Sequence, residues 1–192
     1  MTIQFGMPFI NGIAYATDAH QGQVRKGTNI PYIAHPLAVA SLVLEFGGDE
    51  DLAIAGLLHD VIEDCDPVYA ERMQETFGAR VYSIVRQLTD GVPGEDGEKP
   101  EWRARKDAHL AHLRTAAPDV LLVAACDKIH NARCLLADVQ RDGLAAFDKF
   151  RGGIDGTLWY LTEMAAITAC TAAGEALRSL VLDLTFAVRE AV

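Results

Sequence analysis

Apolar residues recur along this chain at the three- and four-residue spacing of amphipathic helices. In the segment 50–62, Ala53 and Leu57 are four residues apart, and so are Ile54 and Leu58. Asp49 stands just before this segment, where a helix N-cap is expected. Strand signals are weak and do not alternate with the helices, so the pattern predicts an all-α protein. The other predicted helices are 36–46, 68–77, 79–89, 101–116, 118–138, 154–171 and 174–190.

The segment 90–100 (DGVPGEDGEKP) is the clearest predicted loop, because it holds three glycines and two prolines. Candidate chemical groups lie on both sides of it, which favours one domain over 1–192 rather than two domains joined by a linker. The chain has no run of 18 apolar residues, so no membrane span is predicted, and its N-terminus lacks the basic region of a secretory signal. We therefore expect a cytoplasmic protein.

Charge and cysteine content exclude some classes of function. The formal net charge is −10, whereas a non-specific nucleic-acid binder is normally basic. An anionic substrate would then need local cations, and these occur at Arg25 and Lys26 and again at Arg103, Arg105 and Lys106. None of the four cysteines forms a CxxC pair, so reduced thiols are expected rather than disulfides or a thiolate zinc site.

The dipeptide His59-Asp60 follows an apolar run, Gly56-Leu57-Leu58. Burying a histidine beside an ionised aspartate costs free energy unless something compensates, and a divalent metal is one compensator. A His-Asp dipeptide alone is common, and it can equally mark a simple helix end. Two adjacent residues cannot complete a metal site, so further ligands are needed. The candidates are His35, at a predicted helix start, and Asp127, within an apolar helix.

Two more carboxylates follow the dipeptide. On a continuous helix, Glu63 would share a face with His59, and Asp64 with Asp60. Both would then be placed to orient or deprotonate a water molecule at the metal.

Four segments of this chain resemble one family. They are Ala19–Thr28 (AHQGQVRKGT), Pro31–Ala40 (PYIAHPLAVA), Leu57–Asp64 (LLHDVIED) and Asp127–Arg133 (DKIHNAR). An early His, a His-Asp pair and a late Asp resemble the ligand set of the HD superfamily of metal-dependent phosphohydrolases. In order and spacing the segments are most similar to the RelA/SpoT-type small alarmone hydrolases. The resemblance covers roughly residues 8–140.

The resemblance implies a single HD-domain bundle of about eight to ten helices that releases pyrophosphate from the 3′ position of ppGpp or pppGpp. It also implies one Mn²⁺ ion held by His35, His59, Asp60 and Asp127. Glu63 and Asp64 would activate the attacking water, and Arg25, Lys26 and Asn131 would contact the substrate. We add Lys106 as a further cation for the pyrophosphate. Neither a nucleic-acid nor a membrane partner is expected.

Alternatives stay open from the sequence. Other HD enzymes act on adenine alarmones or on the 2′-phosphate of NADPH, and a non-catalytic nucleotide-binding module is also conceivable. The presence of Glu63 and Asp64 speaks against that last class. The loop between Arg25 and His35 is one residue longer than in the long enzymes, so purine preference is open, and oligomeric state is not readable.

Other histidines and cysteines receive structural roles. We expect His20 to be hydrogen-bonded near Gln23, and His109 and His112 to lie on the surface of a polar helix. Cys65 stands where the long enzymes usually carry threonine, and Cys126 is expected to pack beside a ligand rather than bind metal.

Overall fold

A computed structural model describes residues 5–91 and 100–191. These residues are helical without a named strand, which confirms the predicted all-α class. They fall into two compact units, 5–91 and 100–191, and a single domain over 1–192 stays a prediction. Most of the predicted loop 90–100 lies outside the described residues. The first unit contains α1 (Met7–Ala19), α2 (Ala34–Glu45), α3 (Glu50–Leu58), α4 (Val61–Asp64) and α5 (Pro67–Leu88).

Helix α3 is the buried centre of the first unit. Every residue from Leu52 to Leu58 is buried, and α3 packs against α1, α2 and α5. The predicted N-cap is confirmed, because the Asp49 carboxylate accepts a hydrogen bond from the Leu52 N–H at 3.0 Å. A helix apolar on all sides needs neighbours all round, and the three packed helices provide them.

Two details of the first unit differ from the sequence-based prediction, and one confirms it. The predicted helix 50–62 is broken at His59 and Asp60, so α3 ends at Leu58 and a short α4 begins at Val61. Helix α1 was not predicted as an element. The predicted break at Gly78 is confirmed, since this residue adopts φ 85° within α5, a conformation that glycine tolerates without a Cβ clash.

The second unit is centred on the longest helix, α7, which packs against α8 and α9. It contains α6 (Trp102–Leu113), α7 (Pro118–Asp142), a 3₁₀ turn at Gly143–Phe147, α8 (Gly153–Ile167), a 3₁₀ turn at Thr168–Cys170 and α9 (Ala172–Glu190).

Three helices of the second unit end at residues other than the predicted ones. Helix α6 ends at Leu113 rather than 116, and the chain is extended at Ala117 (ψ 153°), the residue before Pro118. Helix α7 continues beyond 138 to Asp142 and ends at Gly143, whose φ is 63°. Helix α8 ends at Ile167 instead of 171, where the chain tightens into a 3₁₀ turn before α9.

Among residues 5–91 and 100–191, we find no helix that is both long and apolar enough to cross a membrane. The cytoplasmic location expected from the sequence stays a prediction. None of the four cysteines, which all lie in described parts of the chain, forms a disulfide.

Candidate metal centre

Two buried histidines meet in the first unit. His35 lies in the first turn of α2 and His59 directly follows α3, and their side chains are 2% and 4% exposed. Their Nε2 atoms are 3.2 Å apart. Because α2 and α3 pack against each other, two residues 24 positions apart in sequence present the same ring nitrogen to one point.

A backbone carbonyl sets the tautomer of His59. The Nδ1 atom lies 2.8 Å from the Gly56 carbonyl oxygen, so Nδ1–H donates this hydrogen bond. In the neutral ring, Nε2 then carries the lone pair, and this atom faces His35 and Asp60. A histidine held through its second nitrogen in this way is typical of metal ligands in proteins.

The Asp60 carboxylate completes this arrangement. Its Oδ2 atom lies 3.0 Å from the Nε2 atom of His59 and 3.6 Å from that of His35. The same oxygen accepts a hydrogen bond from the Tyr32 hydroxyl at 2.5 Å. Asp60 occupies the break between α3 and α4, with φ −95° and ψ −5°, and this break turns its side chain back toward the two histidines.

These three donors fit a single divalent ion. Donor atoms that bind one ion at about 2.1 Å, with angles of about 90–120° between them, lie about 3.0–3.6 Å from one another. The three observed separations of 3.2, 3.0 and 3.6 Å span this range. Two neutral imidazoles and one carboxylate suit Mn²⁺, Fe²⁺ or Zn²⁺.

Tyr32 and its neighbours support the Asp60 carboxylate. The His20 ring lies 4.7 Å from the Tyr32 ring at a tilt of 33°. His20 is 3% exposed, and its Nδ1–H donates to Oε1 of Gln23 at 2.8 Å, which confirms the predicted structural role. Sequence reasoning quoted Tyr32 within a motif but gave it no role. The available signal was a hydroxyl-bearing aromatic residue three positions before a candidate ligand.

Cys65 also contacts His20, with its Sγ atom 3.3 Å from Nδ1. Burial, followed by the negative charges of Asp64 and Asp60, raises the pKa of this thiol to about 12. Cys65 therefore stays protonated at neutral pH and is a poor nucleophile. Cys65 therefore acts as a packing group against His20.

Glu63 and Asp64 lie in the four-residue helix α4, beyond the break. The predicted sharing of a continuous helix face with His59 and Asp60 is wrong in detail, because α3 ends before them. Part of the helical relation survives, since the Asp64 N–H donates to the Asp60 carbonyl at 2.9 Å. The Asp64 carbonyl in turn accepts a hydrogen bond from the Gln23 amide at 2.9 Å. Both carboxylates are thus held within one turn of Asp60.

Arg25 and Lys26 lie in a tight loop next to Tyr32. A single β-bridge joins Val24 to Pro31, and the Arg25 N–H donates to the Ile30 carbonyl at 2.8 Å. The Arg25 guanidinium carbon lies 5.8 Å from the centre of the Tyr32 ring, within cation–π range. One tyrosine therefore contacts a candidate substrate cation through its ring and a candidate ligand through its hydroxyl.

In the second unit, Asp127 presents a buried carboxylate from the middle of α7. Its residue exposure is 8%, and Oδ1 accepts a hydrogen bond from the Asn131 amide at 2.6 Å, one helical turn later. Oδ2 accepts a hydrogen bond from the Lys128 ammonium. Asn131, expected to touch the substrate, thus orients a candidate ligand in this structure. Lys128 is a neighbour that sequence reasoning missed.

Lys106 lies over the buried ring of Tyr160, with Nζ 4.5 Å from the ring centre. His109, on the same helix, is 9% exposed and makes an edge contact with that ring at 6.5 Å between centroids. The predicted surface position of His109 is therefore wrong, because this residue shares the inward face of α6 with Leu113. The predicted exposure of His112 is confirmed. Cys126 is fully buried, as expected for packing.

Comparison with known proteins identifies the family. The sequence matches the HD domain family over residues 12–151, which is more than half of the chain. The chain belongs to the HD domain family. HD domains bind a divalent metal, and the histidines and aspartates of this HD domain supply donors of the required kind.

Curated relatives of this HD domain carry alarmone-hydrolase names. It is 41% identical over 126 residues to a guanosine-3′,5′-bis(diphosphate) 3′-pyrophosphohydrolase of Haemophilus influenzae. It is 38% identical over 126 residues to the bifunctional (p)ppGpp synthase/hydrolase SpoT of Escherichia coli. Each match covers 62% of this chain but only 17% of the relative, so the chain spans about a sixth of these proteins.

Solved structures share the fold. A metazoan SpoT ortholog, described as hydrolysing ppGpp, superposes with a TM-score of 0.74, covering 98% of both chains at 23% identity. A protein of Listeria monocytogenes superposes with a TM-score of 0.67, covering 77% of this chain and 96% of its own at 24% identity. At these identities, the likeness establishes the all-helical HD fold alone.

Proposed function

We propose that this HD domain is a metal-dependent hydrolase that releases pyrophosphate from the 3′ position of ppGpp or pppGpp and yields GDP or GTP. The observation that carries the proposal is the set of three donor atoms on His35, His59 and Asp60, whose separations fit one divalent ion. The names of the curated relatives support the choice of substrate.

The proposed metal is one Mn²⁺ ion. His35, His59 and Asp60 would hold it from the first unit. Asp127 is the fourth proposed ligand, and its assignment rests on the family pattern and on its buried, doubly hydrogen-bonded carboxylate. Mixed imidazole and carboxylate ligands suit Mn²⁺ but do not exclude Fe²⁺ or Zn²⁺. Metal identity is therefore part of the proposal and of its test.

When bound, the ion would lower the pKa of a coordinated water and offset charge on the phosphoryl oxygens. Glu63 is the first candidate to accept the proton of the attacking water, and Asp64 is the second. The break after α3 places both within one turn of Asp60. A carboxylate that accepts this proton contributes a factor of ~10²–10⁴ to the rate.

Substrate binding would rely on local cations, because the chain as a whole carries a net charge of −10. Arg25 and Lys26 are proposed to bind the pyrophosphate group, with Lys106 as a further cation. Cations held in place before the substrate arrives stabilise developing negative charge without reorganisation. Asn131 is proposed to contact the substrate, and its hydrogen bond to Asp127 also orients that candidate ligand.

The decisive test measures pyrophosphate and GDP formed from ppGpp, with Mn²⁺ and with EDTA. We expect product from the metal-loaded protein alone, and none from Asp60→Ala. Glu63→Gln should bind Mn²⁺ normally but lower turnover by ~10²-fold or more. The matched control is Glu71→Gln, an exposed carboxylate on α5, which should leave turnover unchanged.

Other outcomes redirect the proposal in defined ways. Normal turnover of Glu63→Gln would remove Glu63 from the mechanism and leave Asp64 as the proton acceptor. A protein that binds one Mn²⁺ but leaves ppGpp intact would refute the substrate assignment. NADPH and adenine alarmones, assayed under the same conditions, would then separate another HD hydrolase from a non-catalytic nucleotide-binding module.

A further inference from the structure

Tyr32 joins two parts of the proposed site that lie on different segments. Its hydroxyl donates to Oδ2 of Asp60 at 2.5 Å, and its ring faces the Arg25 guanidinium at 5.8 Å. Its backbone carbonyl also accepts the His35 N–H at 2.9 Å, at the start of α2. One residue thus contacts two proposed metal ligands and one proposed substrate cation.

We infer that Tyr32 is a positioning residue that sets metal affinity through its hydroxyl and supports the substrate cation Arg25 through its ring. The inference rests on the proposed metal site and deepens it. Neither part requires Tyr32 to touch the ion or the substrate.

The hydroxyl acts on the oxygen that matters for the metal. Oδ2 is the Asp60 atom that lies 3.0 Å from His59 and 3.6 Å from His35. A carboxylate oxygen has two lone-pair directions, and the Tyr32 hydroxyl occupies one of them. The same oxygen also faces both imidazole nitrogens, so the hydroxyl and the two histidines act on one atom. The hydrogen bond also restrains rotation of the carboxylate, so less conformational freedom is lost when an ion binds.

The Tyr32 ring is itself held in place. His20 packs on it at 4.7 Å between centroids, and the edge of His35 meets it at 5.9 Å with an angle of 75° between the planes. His20 is fixed in turn by its hydrogen bond to Gln23 and by contact with Cys65. A hydroxyl on a ring packed in this way can hold the Asp60 carboxylate in one orientation, as partners of metal ligands do elsewhere.

Two substitutions separate the hydroxyl from the ring. Tyr32→Phe removes the hydrogen bond to Asp60 and keeps every ring contact. We expect its Mn²⁺ affinity, measured by isothermal titration calorimetry, to fall ~10–100-fold. At saturating Mn²⁺, its KM for ppGpp should equal that of the wild type. Tyr32→Leu also removes the support of Arg25, so KM should rise as well.

Tyr69→Phe is the matched control. The Tyr69 hydroxyl donates to the Asp18 carboxylate at 2.7 Å, so this change removes a tyrosine–aspartate hydrogen bond in the same unit without touching a proposed ligand. It should leave Mn²⁺ affinity unchanged. The metal-free thermal transition and far-ultraviolet circular dichroism of each variant report whether the fold is intact.

The outcomes distinguish a failure of this inference from a failure of the proposed metal site. If the wild type binds no Mn²⁺, Fe²⁺ or Zn²⁺, the proposed metal site is refuted and this inference with it. If the wild type binds Mn²⁺ and Tyr32→Phe binds it equally well, the role of the hydroxyl is refuted while the metal site stands. Equal weakening by Tyr32→Phe and Tyr69→Phe would also overturn it, because the loss would then reflect general stability.

Discussion

Gly56 lies where α3, which leads into His59, packs closely against α2, which carries His35. A Cβ atom on Gly56 of α3 would lie 3.3 Å from Cα and 3.4 Å from N of Ala40, and 3.4 Å from Cγ1 of Val39, both on α2. The Gly56 carbonyl also accepts the Nδ1–H bond that sets the tautomer of His59. Gly56→Ala therefore tests how the packing of α2 on α3 controls the candidate metal centre.

Two opposing effects set the size of this change. Alanine in a helix interior is favoured over glycine by about 1 kcal/mol. Overpacking a well-packed core costs about 1–3 kcal/mol. The backbone atoms of Ala40 cannot rotate away, so α2 must move by a few tenths of an ångström. We expect the cost to prevail, with a net loss of about 1 kcal/mol and a melting temperature about 2–4 °C lower.

The same displacement should weaken metal binding, because α2 carries His35 and α3 leads into His59. Their Nε2 atoms are 3.2 Å apart, and a site of this kind must be held within about 0.5 Å of its binding geometry, so a shift of a few tenths of an ångström uses up most of that margin. We expect Mn²⁺ affinity to fall ~10-fold, which corresponds to about 1.4 kcal/mol.

Gly12→Ala is the matched comparison on α1. Its Cβ would also meet its nearest neighbour at 3.3 Å, but that neighbour is Cδ1 of Leu57, the end of a flexible side chain. The leucine methyl can adjust by rotation, so the helix-propensity gain should prevail. Gly12→Ala should be as stable as the wild type or up to about 1 kcal/mol more stable, with unchanged Mn²⁺ affinity.

Urea denaturation followed by circular dichroism measures the two stabilities, and calorimetric titration with Mn²⁺ measures the affinities. A stability change of the same sign in Gly12→Ala and Gly56→Ala would refute the distinction between backbone and side-chain neighbours. Loss of stability without loss of Mn²⁺ affinity in Gly56→Ala would refute the link between helix packing and the metal centre.

Two further predictions concern the helix cap and the second unit. Burial alone would raise the pKa of Asp49, but the Leu52 N–H and the Arg80 guanidinium lower it overall, so its stabilising effect is present above the unfolded pKa and is lost as pH falls through the folded value. Asp49→Asn keeps the helix cap and should lower the free energy of unfolding by about 0.2–1 kcal/mol at neutral pH. The urea midpoints of the variant and the wild type should converge below about pH 4, and a difference that stays constant with pH would contradict this. Gly152→Ala would place its Cβ 2.6 Å from the Trp102 ring, so we expect the free energy of unfolding to fall by about 1–3 kcal/mol. The tryptophan emission spectrum should also shift, and an unchanged spectrum would show that the ring does not move.

Local patterns in the sequence were sufficient to predict most of the helices. The apolar spacing in 50–62 and the carboxylate before it predicted α3 and its cap, and Asp49 caps it as expected. The break at Gly78 followed from glycine's freedom at positive φ. These properties depend on neighbours within a few residues, which a single sequence displays.

Other features depended on contacts between distant residues. The apolar pattern continues on both sides of His59 and Asp60, so no local signal predicts the helix break that turns Asp60 toward the histidines. His109 lies on a helix of mostly polar composition, yet it is buried because that face of α6 meets Tyr160. Helix α1 went unpredicted, and its buried face consists of the small residues Gly12 and Ala16, a weak apolar signal.

The sequence by itself determined the all-helical class, most helix limits and the residue types that can bind a divalent metal. Tertiary structure alone decided that His35, 24 residues before His59, meets it at 3.2 Å, and that the Tyr32 hydroxyl reaches Asp60, 28 residues later. The physical reason is that helix propensity and capping act over one or two turns. A metal site needs donor atoms placed to a few tenths of an ångström, and in this chain the packing of α2 against α3 sets that distance.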